Sequence, residues 1–285
     1  MQLLGNKRCC IGEGPIWNPL EERLYFTNGM TKEICRADLS TGEVTTLVLE
    51  RGAAAIAFDR QGRMIVSRAN GVFFLDDNAP TPLYDPSKYA ILHANDMKVG
   101  PDGRIYVGTQ GQARLKLSDA VDGGLYSIDG SGNVRQLLGG LRLSNGLDWS
   151  MDESLLYHTD SDTGIIKEYR FDKRTGELEA TRREVLVKGV DGFTVGEDDR
   201  LYVACWGQGH VAVVDTRTMR VTEQLAVPAK KPASCAFCGK DLQTLAVVTA
   251  SYNCNLQEDP NAGCVFLHPT STRGRAPYLF ASKGM

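Results

Sequence analysis

Six short segments of this chain resemble one another at nearly even spacing: RLYFTN from Arg23, RMIVSR from Arg63, RIYVGT from Arg104, LLYHTD from Leu155, RLYVAC from Arg200 and TLAVVT from Thr244. Their third residues, Tyr25, Ile65, Tyr106, Tyr157, Tyr202 and Ala246, follow one another at 40, 41, 51, 45 and 44 residues. Each segment is rich in β-branched or aromatic residues, and most follow a polar turn such as NPLEE, DRQG or GPDG. Strands and turns repeating every 40–50 residues or so are the signature of propeller blades, each a four-stranded antiparallel sheet. The expectation is therefore an all-β chain, residues 1–285 as a single domain, folded as a six-bladed β-propeller. The long stretch between GTQGQ and DGGLY becomes an insertion in the third blade. Two packed β-sandwiches are the alternative, but they leave the regular repeat unexplained.

The repeat gives a second alignment. Eleven or twelve residues before the anchors stand Glu13 in GEGPIW, Asn95 in HANDMKV, Asn145 in SNGLDW and Asp191 in VDGFTV. The second repeat has Ala53 and Ala54 there, and the sixth has Ser234. Equivalent positions in a propeller are related by rotation about the central channel, so side chains opening the innermost strands converge on its axis. Four converging oxygen-bearing side chains suit a hard cation such as calcium, magnesium or manganese. Glu13 and Asp191 carry two negative charges to balance a divalent ion, and without one they repel each other. Glycine follows Glu13, Asn145 and Asp191, which permits close backbone approach. The competing explanation is that Asn-Gly and Asp-Gly are ordinary turn dipeptides; Glu13 argues against it, since glutamate has little turn preference.

Composition narrows the function. With 32 basic and 35 acidic residues the net charge is -3, and no basic stripe appears, so no nucleic acid is expected as a partner. No window approaches the roughly 18 apolar residues of a membrane helix, and the first residues lack the apolar stretch of a signal peptide, so no membrane partner and a cytoplasmic location are expected. Eight cysteines without scaffold spacing fit reduced thiols. Cys235 and Cys238 form a C-x-x-C with no second pair or histidines nearby, which reads more simply as two small buried apolar residues. The four histidines, His93, His158, His210 and His268, lack metal-ligand spacing, and neither G-x-S-x-G, H-E-x-x-H nor a P-loop is present. Trp17, Trp149 and Trp206 are expected to pack between blades. Nothing in the pattern fixes an oligomeric state.

IGEGPIW, PDGRIYVGT, SNGLDWS, VDG, LYVACW, PASCAF and the closing RGRAPY, spread over residues 9–280 or so, together resemble the SMP-30/gluconolactonase/luciferin-regenerating family, whose members include regucalcins. The resemblance implies a six-bladed propeller with a metal site in the central channel, one divalent cation (calcium, zinc, manganese or magnesium), and lactonase activity on sugar lactones; some members also cleave organophosphates. It places Glu13, Asn145 and Asp191 on the metal ligands, Asp191 also on the catalytic base, and Asn95 on a substrate contact. Asp119, in the insertion, is the nearest match to an acidic substrate contact. One departure stands out: many sugar-lactone members have arginine two residues before the Asn-Asp pair, where this chain has His93, a shorter donor without a permanent charge.

The implied chemistry is hydrolysis of a small-molecule lactone. A cation polarises the carbonyl and acidifies a water, Asp191 accepts the proton, and Asn95 and His93 hydrogen-bond the tetrahedral intermediate. The alternatives are an esterase or phosphotriesterase using the same ion, a non-catalytic calcium-binding propeller, and a protein-interaction platform, for which a converging oxygen cage has no use.

Overall fold

The computed structural model describes residues 1–76, 79–91 and 93–283. The six repeats are six four-stranded antiparallel sheets. Blade one comprises Gly12–Asn18, Arg23–Asn28, Glu33–Ala37 and Val44–Val48, and blade two Ala55–Phe58, Met64–Arg68, Gly71–Asp76 and Ala79–Pro82. Blade three comprises Ala94–Val99, Ile105–Thr109, Gly123–Ile128 and Val134–Leu141. Blade four is Ser144–Trp149, Leu155–Asp160, Ile165–Asp172 and Glu177–Leu186; blade five is Val190–Gly196, Arg200–Cys205, His210–Asp215 and Arg220–Ala226. Blade six comprises Pro232–Cys238, Thr244–Thr249 and Val265–Pro269, and its outer strand is Gln2–Leu3 from the start of the chain. The first and last strands therefore meet in one sheet, which ties the ring shut. The inner strand of each blade packs on that of the next, from one to six and back to one, an order that excludes two separate sandwiches. Among the described residues the only helical element is the single turn Gly29–Thr31.

The anchor tyrosines explain the repeat physically. Tyr25, Tyr106 and Tyr202 each meet edge-on an aromatic ring of the next blade's inner strand: Phe58 at 5.3 Å, Trp149 at 4.9 Å and Phe237 at 5.2 Å between centroids. Each hydroxyl donates to a carboxylate four residues earlier in the preceding turn, to Glu21 (2.7 Å), Asp102 (2.7 Å) and Asp198 (3.0 Å). One side chain thus fixes a turn and joins two blades, with the ring pair adding about 1 kcal/mol beyond its buried area. Trp17 and Trp149 are buried between blades, but Trp206 lines the central cavity instead.

The second residue of the inner strand is where the blades differ. Strand pairing slips in register around Glu13, Asn95, Asn145 and Asp191, and again at the start of blade six. Blade two, with Ala53 and Ala54 at the aligned positions just ahead of its inner strand, pairs without a slip. Such bulges re-aim a side chain and increase local twist. The neighbouring strands come very close at these points: a Cβ on Gly146 would stand 2.4 Å from the Asp191 carbonyl oxygen, and Gly14 has φ +52° with Ala55 Cα 2.7 Å from where its Cβ would be.

Candidate active site

The bulged starts of the inner strands open into a cavity of about 830 Å³ at one end of the channel, lined among others by Glu13, Asn95, Asn145 and Asp191. The structure thus brings four of the residues picked out from the sequence to one site. Asn145 and Asp191 are each only 7% exposed, and the Asn145 side-chain amide donates to Asp191 Oδ1. The Asn95 side-chain amide donates to the Ser144 carbonyl of blade four (3.3 Å), while Ser67 Oγ of blade two donates to the Asn95 carbonyl (2.7 Å), so its side chain is held from one neighbouring blade and its backbone from the other.

Burial drives both carboxyls toward the neutral form. Glu13 is pushed well above the usual carboxylate range by burial and then by the charges of Asp191 and Asp96. Asp191 is raised by burial and by Asp96, with the Asn145 hydrogen bond and the Arg114 charge offsetting part of the effect. Neither carboxylate forms an ion pair among the described residues. No protein donor among those residues reaches the Glu13 carboxylate, Asp191 Oδ2 or Asn145 Oδ1. Two carboxylates short of positive charge, plus an amide oxygen left as acceptor, fit a hard divalent cation. Among the described residues no three His, Cys, Asp or Glu side chains converge, so a cage here relies on the Asn145 amide besides the two carboxylates.

The remaining sequence candidates lie elsewhere. Asp119 is exposed on the insertion and does not line the cavity. The insertion residue that does is Arg114, paired with Asp162 at 3.1 Å. His93 is also absent from the lining; it adopts φ +56°, donates its backbone N–H to Ala69 (2.6 Å) and accepts from Gln110 (3.0 Å). Its ring lies near Asp122, whose carboxyl is held below the usual range chiefly by Gln112 hydrogen bonds and more weakly by the His93 charge. His158 is buried, paired with Ser144 Oγ at 2.8 Å and pushed down to about 4 by burial, which makes it a packing residue. Cys235 and Cys238 are buried in different clusters, three residues apart along one strand and so on opposite faces, and burial pushes each thiol up to about 12.

The other end of the channel holds a smaller cavity whose lining includes Lys98, Asp148 and Arg275. Lys98 Nζ bonds Asp148 Oδ2 (2.9 Å) and the Phe193 carbonyl (2.8 Å), and Arg275 reaches Asp148 Oδ1 (3.3 Å). Arg275 belongs to the RGRAPY segment, which crosses beneath the blades: Gly274 bridges Gly196, and the Tyr278 hydroxyl donates to Glu153 (2.7 Å). No helix in the described residues is long and apolar enough to cross a membrane.

Residues 11–251 match the family model described as the SMP-30/Gluconolactonase/LRE-like region. Regucalcin of Gallus gallus is 28% identical over 294 residues, covering 99% of this chain and 98% of that protein. YvrE of Bacillus subtilis, whose name carries a provisional sugar lactone lactonase assignment, is 28% identical and covers 98% of each. The crystal structure of a calcium-binding protein, regucalcin, from Agrobacterium tumefaciens superposes with a TM-score of 0.86 at 23% identity, covering 98% of this chain and 96% of that one; at that identity the likeness establishes the fold.

Proposed function

The chain belongs to the SMP-30/gluconolactonase/LRE-like family, and from that premise we propose that it is a divalent-cation-dependent hydrolase that opens the ring of a lactone, with a sugar lactone as its substrate class. The carrying observation is the set of acceptors at Glu13, Asp191 and Asn145, in which two carboxyls are forced toward neutrality and no donor among the described residues satisfies the outward oxygens. A bound divalent ion supplies Lewis-acid polarisation and a more acidic water. Glu13, Asn145 and Asp191 would hold it.

The chain's own residues account for the rest. Asp191 has two distinct oxygens, Oδ1 fixed by Asn145 and Oδ2 open to the cavity. Its environment, by raising the affinity for a proton, suits it to take one from the attacking water. Water adds to the ring carbonyl carbon, the acyl–oxygen bond breaks, and the ring oxygen leaves as a hydroxyl carrying the proton that Asp191 held; the product is the open hydroxy acid. Asn95 and Gln110 line the same cavity and offer amide N–H groups to the substrate. At the far end of the channel the Lys98–Asp148–Arg275 network ties the inner strands of blades three and four to the closing segment.

The test is proton release from a panel of sugar and aliphatic lactones, using metal-stripped protein with and without each of calcium, zinc, manganese and magnesium. Ion-restored turnover that disappears in Asp191→Asn supports the reading. Tight ion binding without turnover on any lactone replaces it with a calcium-binding role, and turnover on simple esters or phosphotriesters alone reassigns the substrate.

A further inference from the structure

The cavity has a second charged region that lactone opening does not use. Arg68, the last residue of the second strand of blade two, lines the cavity while only 3% exposed. Its guanidinium forms no ion pair and no hydrogen bond among the described residues, and its Nε is fully enclosed without a partner. The one group it meets face-on is the Phe73 ring, 5.9 Å from Cζ, at the outer limit of a cation–π contact. Burial lowers its affinity for its proton; the charges that act on it are Glu50, which counters this, and Arg51, which adds to it. Glu13 and Asp191 are not among them, so Arg68 is no counter-ion of the acidic site. Buried guanidinium groups in folded proteins are paired or bonded, and this one is neither.

Its surroundings reinforce the sign. Lys32 and Arg51, both exposed and from the neighbouring parts of blade one and its link to blade two, line the same cavity and form no ion pair among the described residues. The carboxylate on that wall is Glu50, so three cations stand against one anion. Arg114, the remaining cation of the lining, is already matched by Asp162. The planar fork of a guanidinium fits carboxylate or phosphate oxygens in pairs.

We infer that Arg68, with Lys32 and Arg51, forms a subsite for an anionic group on the substrate, so that the lactone opened here carries a phosphate or carboxylate at the end remote from the reacting carbonyl. This rests on the lactone-opening reading above and names the substrate class within it. It also accounts for an arginine held in the wall with its donors unspent.

The experiment compares kcat/KM of the metal-loaded protein for glucono-1,5-lactone, its 6-phosphate and a glucarolactone, which carries a terminal carboxylate. One of the charged lactones is expected to exceed the neutral one by roughly tenfold or more, the factor a charge-assisted hydrogen bond supplies; which of the two does so identifies the anion. In Arg68→Met that ratio falls toward one, and Arg68→Lys restores part of it. If Arg68→Met does not fold, Arg51→Ala, at an exposed position, reads the same ratio and lowers it by a smaller factor. A neutral lactone used as well as both charged ones, or a ratio unmoved by these variants, overturns the inference while leaving lactone opening intact. Should no lactone be opened, the function proposed above fails, and calorimetry with 6-phosphogluconate and with glucarate, each against gluconate, decides the subsite separately. Tighter binding of either, lost in Arg68→Met, supports it; equal affinities for all three overturn it.

Discussion

The Asn145 side-chain amide donates to the Asp191 carboxylate from the neighbouring blade, so two inner strands that run side by side meet through their second residues. The bond orients Asp191 and leaves Asn145 Oδ1 turned from it as an acceptor. Asn145→Ala removes both functions. Cation affinity, measured by calorimetry on metal-stripped protein, is expected to fall by about tenfold or more, the usual loss when a group that orients a ligand is removed. Unchanged affinity in this variant would take Asn145 out of the site.

The raised carboxyls predict how pH and the ion act on stability. In the unfolded chain Glu13 and Asp191 ionise near pH 4; in the folded, cation-free protein they keep their protons to higher pH. Between those values the folded state binds more protons than the unfolded one, so stability falls as pH rises through the window. His158 runs the other way: lowered by burial to about 4, it costs stability as pH falls below about 6.5, and above that it adds no slope. Thermal melts of metal-stripped protein between pH 6.5 and 8 are therefore expected to drop with pH, and a saturating divalent ion should abolish the drop and release protons on binding. Glu13→Gln should flatten the metal-free profile and lose the response to the ion. Melts without slope and without an ion effect at pH 8 would contradict the cation site.

Tyr106 separates the two jobs of the repeated tyrosine. Tyr106→Phe removes the hydrogen bond to Asp102 but keeps the ring against Trp149 and Phe171, and is expected to cost about 1 kcal/mol. Tyr106→Ala also empties a fully buried site and should cost about 3–5 kcal/mol in denaturant unfolding. Equal losses in the two variants would show that the ring contacts carry nothing.

The same residue shows why the blades were legible. A tyrosine that must reach both its own turn and the next blade imposes residue type and spacing together, and that leaves a period in the sequence. The rotation that relates the blades then puts Glu13, Asn95, Asn145 and Asp191 on one axis without further information. What had no period could not be read. The closing strand Gln2–Leu3 is two residues long, too short to alternate. In the insertion, chain spacing pointed to Asp119, whereas loop geometry turns Arg114 to the cavity. His93 stands two residues before Asn95, yet its left-handed backbone precedes the strand and sets its ring near Asp122. Arg68 does carry a signal in the sequence: it ends the anchor segment in RMIVSR, where the other repeats have the shorter side chains Asn28, Thr109, Asp160, Cys205 and Thr249 and none has a cation.

Asp148 lies toward the opposite end of the channel from Glu13 and Asp191. Its carboxylate is buried, and although burial opposes ionisation, Lys98 and Arg275 hold it below the usual range. Such a group stabilises the fold above its unfolded value of about 4, and that contribution is lost as pH falls through the lower folded value. Asp148→Asn leaves Lys98 and Arg275 facing each other without the shared anion and also weakens the bonds from Thr194 Oγ1 (3.0 Å) and the Val195 N–H (3.2 Å). The expected loss is about 3 kcal/mol, measured by denaturant unfolding at pH 7, and the variant should lose the acid-side dependence that Asp148 contributes. Because Asp148 sits at the far ends of the inner strands, cation affinity at Glu13 and Asp191 should change by less than the loss produced in Asn145→Ala. A fall in affinity as large as that, with little change in stability, would mean that the network belongs to the ion site and that the channel works as one electrostatic unit.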